Sequence, residues 1–173
     1  AIENRAANRS MLLIGLISNC IDSRLSFFKD LAKQLPAGRV KLYGECGEKT
    51  PCGQHRKEGS SCFSELLSTF KFYAAFENSR CHGYITEKLR RAYEYNLVPV
   101  VRGGMRRADY EAIVPADSFI YADDFASPQE LAKYLLHLDQ DHAAYARFFA
   151  WKRSHFLLAK SDLYQAALCD VCQ

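Results

Sequence analysis

Residues 12–18, 71–76 and 97–101 are three short runs, LLIGLIS, KFYAAF and LVPVV, in which apolar side chains follow one another with little alternation. A strand with one wet face alternates polar and apolar residues, so a run without alternation is covered on both faces. The chain supplies that cover. Residues 23–35 place Leu25, Phe28, Leu31 and Leu35 at helical spacing and stop at Pro36-Ala37-Gly38. Ser127 at a cap position and Pro128 at the first helical position open a helix with Leu131, Leu135 and Leu138 on one face. Shorter helical patterns are expected at residues 62–67, 86–95, 107–113 and 143–149, with another beginning near Ser161. Residues 40–43 and 119–121 add two strands. Strand and helix thus alternate, which predicts an α/β fold: a Rossmann-like parallel sheet with helices on both faces.

A length of 173 residues suits one core. We expect a single domain over residues 11–173 with a helical tail after about Trp151, preceded by a frayed polar lead-in over residues 1–10. The net charge of +3 is too small to argue for a nucleic-acid partner, although its cations would suit a small anion. No run has the length needed to cross a bilayer, and no signal peptide is visible. Asn8-Arg9-Ser10 is a glycosylation sequon, of consequence only for a secreted chain.

Seven cysteines is a high count, and Cys46, Cys52, Cys62 and Cys81 lie close together in a polar segment. Their gaps do not fit the paired ligand spacing of a zinc site. They read as disulfides pinning a long loop in an oxidising compartment. Cys169-x-x-Cys172 reads as a structural bridge rather than a redox pair, because it does not sit at a strand-to-helix turn. The odd count leaves one thiol over, and Cys20 is the expected free one.

Between an apolar strand and a helical pattern lies FENSRCHGYITEKL, residues 76–89, crowded with polar groups. In a parallel sheet, ligands bind at the carboxyl ends of the strands. A helix capped by Thr86 offers unpaired N–H groups and positive potential at its start, which phosphate favours. Lys88 in that first turn runs against the usual preference for acids there and implies an anion nearby. If the first and third strands are neighbours, Arg24 and Lys88 converge on one diphosphate, Arg24 with a bidentate grip and Lys88 as a point charge. Glu87 is then free to accept from a ribose diol. Taken singly, each residue also has an ordinary reading. Arg24, Glu87 and Lys88 are compatible with solvated helix starts, Tyr84 with packing, Asn78 with a turn, and His55 and His82 with exposed loops. Asp123-Asp124 reads as turn and capping chemistry rather than a metal pair, and Gly103-Gly104 as a turn. No glycine-rich nucleotide fingerprint or P-loop is present. On the residues alone, the chain is a nucleotide- or phosphate-binding α/β domain.

The stretch FKFYAAFENSRCHGYITEKL also resembles the signature of the α1,3/α1,4-fucosyltransferases, glycosyltransferase family ten. That signature is F-E-N-S, four variable residues, then Y-I/V-T-E-K; here it is Phe76-Glu77-Asn78-Ser79 and Tyr84-Ile85-Thr86-Glu87-Lys88 without a gap. Ser18-Asn19-Cys20 with Arg24, Tyr43-Gly44, Val98-Pro99-Val100-Val101, Tyr110, Ser118-Phe119-Ile120, the run from Asp123 to Pro128, and Phe149-Ala150-Trp151-Lys152 extend the resemblance. Gly83, where an acid is common, and Tyr121, where histidine is common, depart from it.

The resemblance implies a GT-B enzyme, two Rossmann-like domains facing a cleft, of which this chain is similar to the carboxyl-terminal, donor-binding half. It implies inverting transfer of L-fucose from GDP-fucose to an N-acetylglucosamine-containing glycan. Lys88 and Arg24 would neutralise the diphosphate leaving group. Glu87 would bind ribose, Asn78 and Tyr84 the phosphates or fucose, and Ser18, Asn19 and Tyr43 the nucleotide side. Glu77 would hold the loop or fucose hydroxyls. The catalytic base and the glycan acceptor site would belong to an amino-terminal domain. No cofactor and no divalent metal are implied, and a membrane would be met only through an anchor outside this chain, in the Golgi lumen. Two other functions compete: a non-catalytic GDP-sugar-binding module, and a disulfide-stabilised extracellular interaction domain.

Overall fold

The computed structural model describes residues 6–20, 23–53, 59–81 and 83–155. Five strands form one parallel sheet: β1 Met11–Leu16, β2 Val40–Tyr43, β3 Phe70–Phe76, β4 Val98–Arg102 and β5 Ile120–Tyr121, in the order β2-β1-β3-β4-β5. The helices are α1 Ser23–Lys33, α2 Ser61–Ser68, α3 Glu87–Glu94, α4 Arg107–Glu111, α5 Pro128–Gln140 and α6 His142–Arg147. This is the expected doubly covered α/β sheet. The helix expected near Ser161, Cys169, Cys172, His55 and His82 lie outside the described residues.

Every residue of β3 is buried, as its unbroken apolar run requires. Phe72, Ala74 and Phe76 pack with Phe28 and Leu31 of α1 and Leu131 and Leu135 of α5. Tyr73 and Ala75 face the other way, toward Phe63 of α2 and Leu89 and Tyr93 of α3. On α5, Ser127 accepts from the Glu130 N–H and Pro128 opens the helix, so that start signal is met.

β1 lies between β2 and β3 and is in register with both. The chain therefore steps outward from β1 to β2, then crosses back to β3 on the other side. That reversal opens a crevice at the carboxyl ends of β1 and β3.

Two expectations fail. Cys20 is not free: it pairs with Cys46, with their Cα atoms 5.3 Å apart. The turn after β2 folds back so that Cys46 N–H donates to the Ile17 carbonyl, which carries Cys46 to the end of β1. Cys52 pairs with Cys62, closing the expected loop. The lead-in is not wholly frayed either. Ala6 and Ala7 are buried in the core. Arg9 donates to the carbonyls of Phe70, Tyr95 and Asn96, tying that segment across the lower edge of the sheet.

The amino end of β3 carries a buried ion-pair network. Lys71 has a side chain only 3% exposed; its ammonium meets Asp139 of α5 at 2.7 Å and also donates to the Asp139 carbonyl at 3.0 Å. Arg39 grips both oxygens of the same carboxylate. Tyr145 donates to the Lys71 carbonyl and lays its ring beside the ammonium. Burial alone would raise the Asp139 carboxyl, but hydrogen bonds from Arg39 and Lys71 outweigh it and hold the group below its ordinary value of 3.8.

A folded pKa below the unfolded one contributes stability above the unfolded value, lost as pH falls through the folded value. Asp139→Asn leaves Lys71 buried without a counter-charge and is expected to cost about 3 kcal/mol at neutral pH. In urea denaturation the deficit relative to the parent should begin to shrink as pH falls below the ordinary value of 3.8 and close once pH passes the lowered folded value, where the parent carboxylate is itself protonated. An unchanged midpoint at neutral pH would show the network to be idle.

Candidate functional site

The carboxyl end of β3 is built around one carboxylate. Glu77 directly follows the strand, and its N–H donates to the Arg102 carbonyl of β4 at 2.8 Å, prolonging the ladder. Its side chain, 2% exposed, turns toward the start of α3. Glu77 Oε1 accepts from the Thr86 N–H at 2.9 Å, and the Thr86 hydroxyl donates to the same carboxylate. Lys88 Nζ meets Glu77 Oε2 at 2.9 Å and donates to Thr86 Oγ1 at 2.7 Å.

Thr86 sits at the expected cap position, yet it makes no side-chain cap to its own helix. Its hydroxyl is taken by Glu77, which satisfies the helix start from outside. The anion implied by Lys88 in that first turn is, within the fold, Glu77. Lys88 keeps 12% side-chain exposure, so the ammonium is held without being sealed.

Arg24 lies at the start of α1 and is buried. Its guanidinium donates to the Asn19 carbonyl at 3.1 Å and to the Phe76 carbonyl at 3.4 Å. Arg24 and Lys88 are thus anchored to consecutive residues, Phe76 and Glu77, from opposite sides of the sheet. Asn78 is exposed, and its side-chain oxygen accepts from the Tyr84 hydroxyl at 3.0 Å, closing the signature loop. Glu87 is half exposed, 3.8 Å from both Lys88 and Arg91. Ser18 and Asn19 are exposed on the loop after β1.

Tyr43 lies apart from this group. Its ring is buried in the core shared with α2 and α3, and burial raises its phenol. Its carbonyl, at the end of β2, accepts the Ile17 N–H.

A small cavity opens between the ends of β1, β3 and β4, lined by Ser23, Arg24, Phe76, Glu77, Asn78, Arg80, Arg102 and Gly103. A larger apolar groove runs along the outer edge between α1 and β2, and none of these polar groups lines it. The cavity residues given no part in the site by the sequence reading are Ser23, Arg80, Arg102 and Gly103. A signal for Arg102 existed: a charged side chain directly ends a fully buried strand. Gly103-Gly104 is more than a turn. A Cβ at Gly104 would lie 2.1 Å from Arg80 backbone, so only glycine lets the β4 loop press against the signature loop. A Cβ at Gly103 would press on the Glu77 side chain at 3.2 Å and touch the Tyr110 hydroxyl at 3.5 Å. That hydroxyl is buried without a hydrogen-bond partner among the described residues, and burial, with Glu77 next, raises it far above the usual phenol range. Among the described residues no group of His, Cys, Asp or Glu is arranged to hold a metal, and no helix is long and apolar enough to cross a membrane.

The Glu77–Lys88 pair predicts a coupling. Lys88→Met strands a buried carboxylate, and Glu77→Gln strands the ammonium, so each alone destabilises the fold. The double variant removes both charges and should recover at least about 1 kcal/mol of the summed losses in denaturant titrations. Strict additivity would mean that the two side chains do not act on one another.

Residues 6–173 match the profile described as glycosyltransferase family 10 (fucosyltransferase) C-term. The chain is 41% identical over 151 residues to 4-galactosyl-N-acetylglucosaminide 3-alpha-L-fucosyltransferase FUT6 of Homo sapiens, covering 87% of this chain and 38% of the relative. It is 40% identical over 152 residues to glycoprotein 3-alpha-L-fucosyltransferase A of Drosophila melanogaster, covering 86% and 29%. The chain therefore spans well under half the length of these relatives. A crystal structure of an α1,3-fucosyltransferase with GDP-fucose superposes with a TM-score of 0.67 at 24% identity, over 88% of this chain and 41% of that one. That likeness carries the fold, and the match along residues 6–173 carries the kinship: the chain belongs to glycosyltransferase family 10, the fucosyltransferases, and corresponds to the carboxyl-terminal part of its members.

Proposed function

We propose that this chain is the donor-binding part of an inverting fucosyltransferase, holding GDP-fucose at the carboxyl ends of β1 and β3. One observation carries the reading: two cations, Arg24 and Lys88, are fixed to adjacent residues at the point where the sheet reverses. Helix α1 starts at the same place. A diphosphate seated there meets both cations and a helix terminus. The relatives named for 3-fucosyl transfer to N-acetylglucosaminides, and the related structure with GDP-fucose, support the same donor and a glycan acceptor.

In the reaction so read, an acceptor hydroxyl oxygen forms a bond to the anomeric carbon of fucose as the bond from that carbon to the phosphate oxygen breaks. The hydroxyl proton passes to a base, and GDP leaves with the bonding electrons. Negative charge grows on the departing diphosphate, where Lys88 and Arg24 stabilise it more in the transition state than before. We assign this work to side chains rather than to a divalent cation. Asn78 and Tyr84 order the loop beside the sugar, Glu87 takes the ribose, and Ser18 and Asn19 flank the nucleotide.

Glu77 is a poor base, because Thr86 and Lys88 already occupy its oxygens. We place the base and the acceptor site in an amino-terminal domain, so the chain alone binds donor without transferring it. The setting we propose is the Golgi lumen; the Cys20–Cys46 and Cys52–Cys62 bridges suit an oxidising compartment.

Calorimetric titration tests the reading. The full chain should bind GDP and GDP-fucose with or without EDTA, and Lys88→Ala should weaken GDP by about tenfold or more. Equal affinity in that variant would remove Lys88 from the site. Fucose transfer to N-acetyllactosamine by the chain alone, abolished by Glu77→Gln, would overturn the division of labour between domains.

A further inference from the structure

The cavity contains more positive charge than the sequence reading used. Arg102, at the end of β4, is the in-register partner of Phe76 on β3. Neighbouring parallel strands in register point paired side chains to one face. Arg102 accordingly lies on the α1 side, where Phe27 packs edge-on against Phe76 at 5.5 Å. The Arg102 guanidinium stacks over the Phe27 ring at 4.2 Å, and its Nε donates to Asp123 at 2.9 Å. One aromatic face and one carboxylate therefore fix the plane of the group. Its two terminal nitrogens make no hydrogen bond among the described residues.

Arg80 stands on the rim of the same cavity. Its backbone is pressed against Gly104, and its side chain is exposed with no hydrogen bond or ion pair among the described residues. Three cations, Arg24, Arg80 and Arg102, thus line this space, with Lys88 behind Glu77 on the other side of the sheet; the nearby carboxylates are Glu77, which lines the space, and Asp123, bound to Arg102. Glu77 is already matched by Lys88, and Asp123 by the Nε edge of Arg102. The terminal nitrogens of Arg102 and the whole Arg80 fork remain to be used.

We propose that Arg102 and Arg80 form a second guanidinium wall facing Arg24 across the cavity, and that this wall makes the site select nucleoside diphosphates over monophosphates. The inference rests on the donor-site reading above. Arg24 and Lys88 can hold one phosphoryl group between them. A second group needs further donors at a fixed distance, and an oriented guanidinium presents a fork that matches phosphate oxygens. Arg102 is the positioned member because Asp123 and Phe27 hold it in place; Arg80 is the unanchored member, exposed on the rim. The same wall would take charge from the departing GDP.

The test compares GDP with GMP by calorimetry on the full chain. Arg102→Leu is expected to weaken GDP by about tenfold while GMP changes much less, so the preference for the diphosphate falls. Arg102→Lys, which keeps the charge and loses the fork, should restore only part of it. Arg102 has internal contacts, and its removal could disturb the loop. Arg80→Gln breaks no internal bond, so a lower GDP-to-GMP ratio in that variant reports on ligand contact alone. Ratios equal to the parent's in both Arg102→Leu and Arg80→Gln would overturn this proposal while leaving the donor site standing. A parent chain that binds neither nucleotide would remove the donor site itself and the wall with it.

Discussion

Glu77 is the joint on which the upper end of this domain turns. Its main chain extends the β3–β4 ladder, and its side chain supplies the acceptors that the start of α3 lacks. A buried carboxylate with one partner would be costly; this one has the Thr86 N–H, the Thr86 hydroxyl and the Lys88 ammonium. The result is a cation held in place at the mouth of the sheet. A free lysine would lose side-chain entropy on meeting a phosphate, whereas Lys88 has given up most of that freedom already.

The position of that joint follows from strand order. With β1 between β2 and β3, the loop after β1 and the loop after β3 face each other across one crevice. The first brings Arg24 through the turn of α1, and the second brings Asn78, Tyr84 and Lys88. The disulfide from Cys20 to Cys46 holds the β1 loop against the loop after β2, so the wall that carries Asn19 and Arg24 is braced from outside. The glycines after β4 let a third loop press against the signature loop, and that contact gives the cavity its far side.

Much of this was legible in the residues. Unbroken apolar runs declared a doubly covered sheet, and Ser127-Pro128 declared a helix start that the structure bears out. Arg24 and Lys88 were picked out by position. Their anchoring was not legible, because it depends on carbonyls and a carboxylate that only the β1–β3 pairing brings near. Thr86 read as a cap, since cap positions favour threonine; nothing local says that a strand end nine residues away takes its hydroxyl. Cys20 read as free because cysteine pairing is a statement about distance in space, and the chain folds back at Gly44 before it returns. Arg102 was passed over as the polar end of a strand; its stacking on Phe27 and its bond to Asp123 come from three separate elements.

β3 carries a buried lysine–carboxylate pair at each end, and the contrast explains why we place the ligand at one end only. At the amino end Lys71 meets Asp139, which a second cation, Arg39, also grips, while Tyr145 covers the ammonium. Every donor there has an acceptor, and helix α5 lies across the network. Such a closed arrangement fixes the register of β3 against α5 and leaves no room for an anion. At the carboxyl end the strands of a parallel sheet give way to loops, and among the described residues no helix lies across the pair. Lys88 keeps some access to solvent, and Arg24 stands one residue away along the strand. The chemistry of the two pairs is the same. What differs is the direction of the strands, which places loops and helix starts at one end only, and so makes that end the place where a charged substrate can complete what the protein has left partly open.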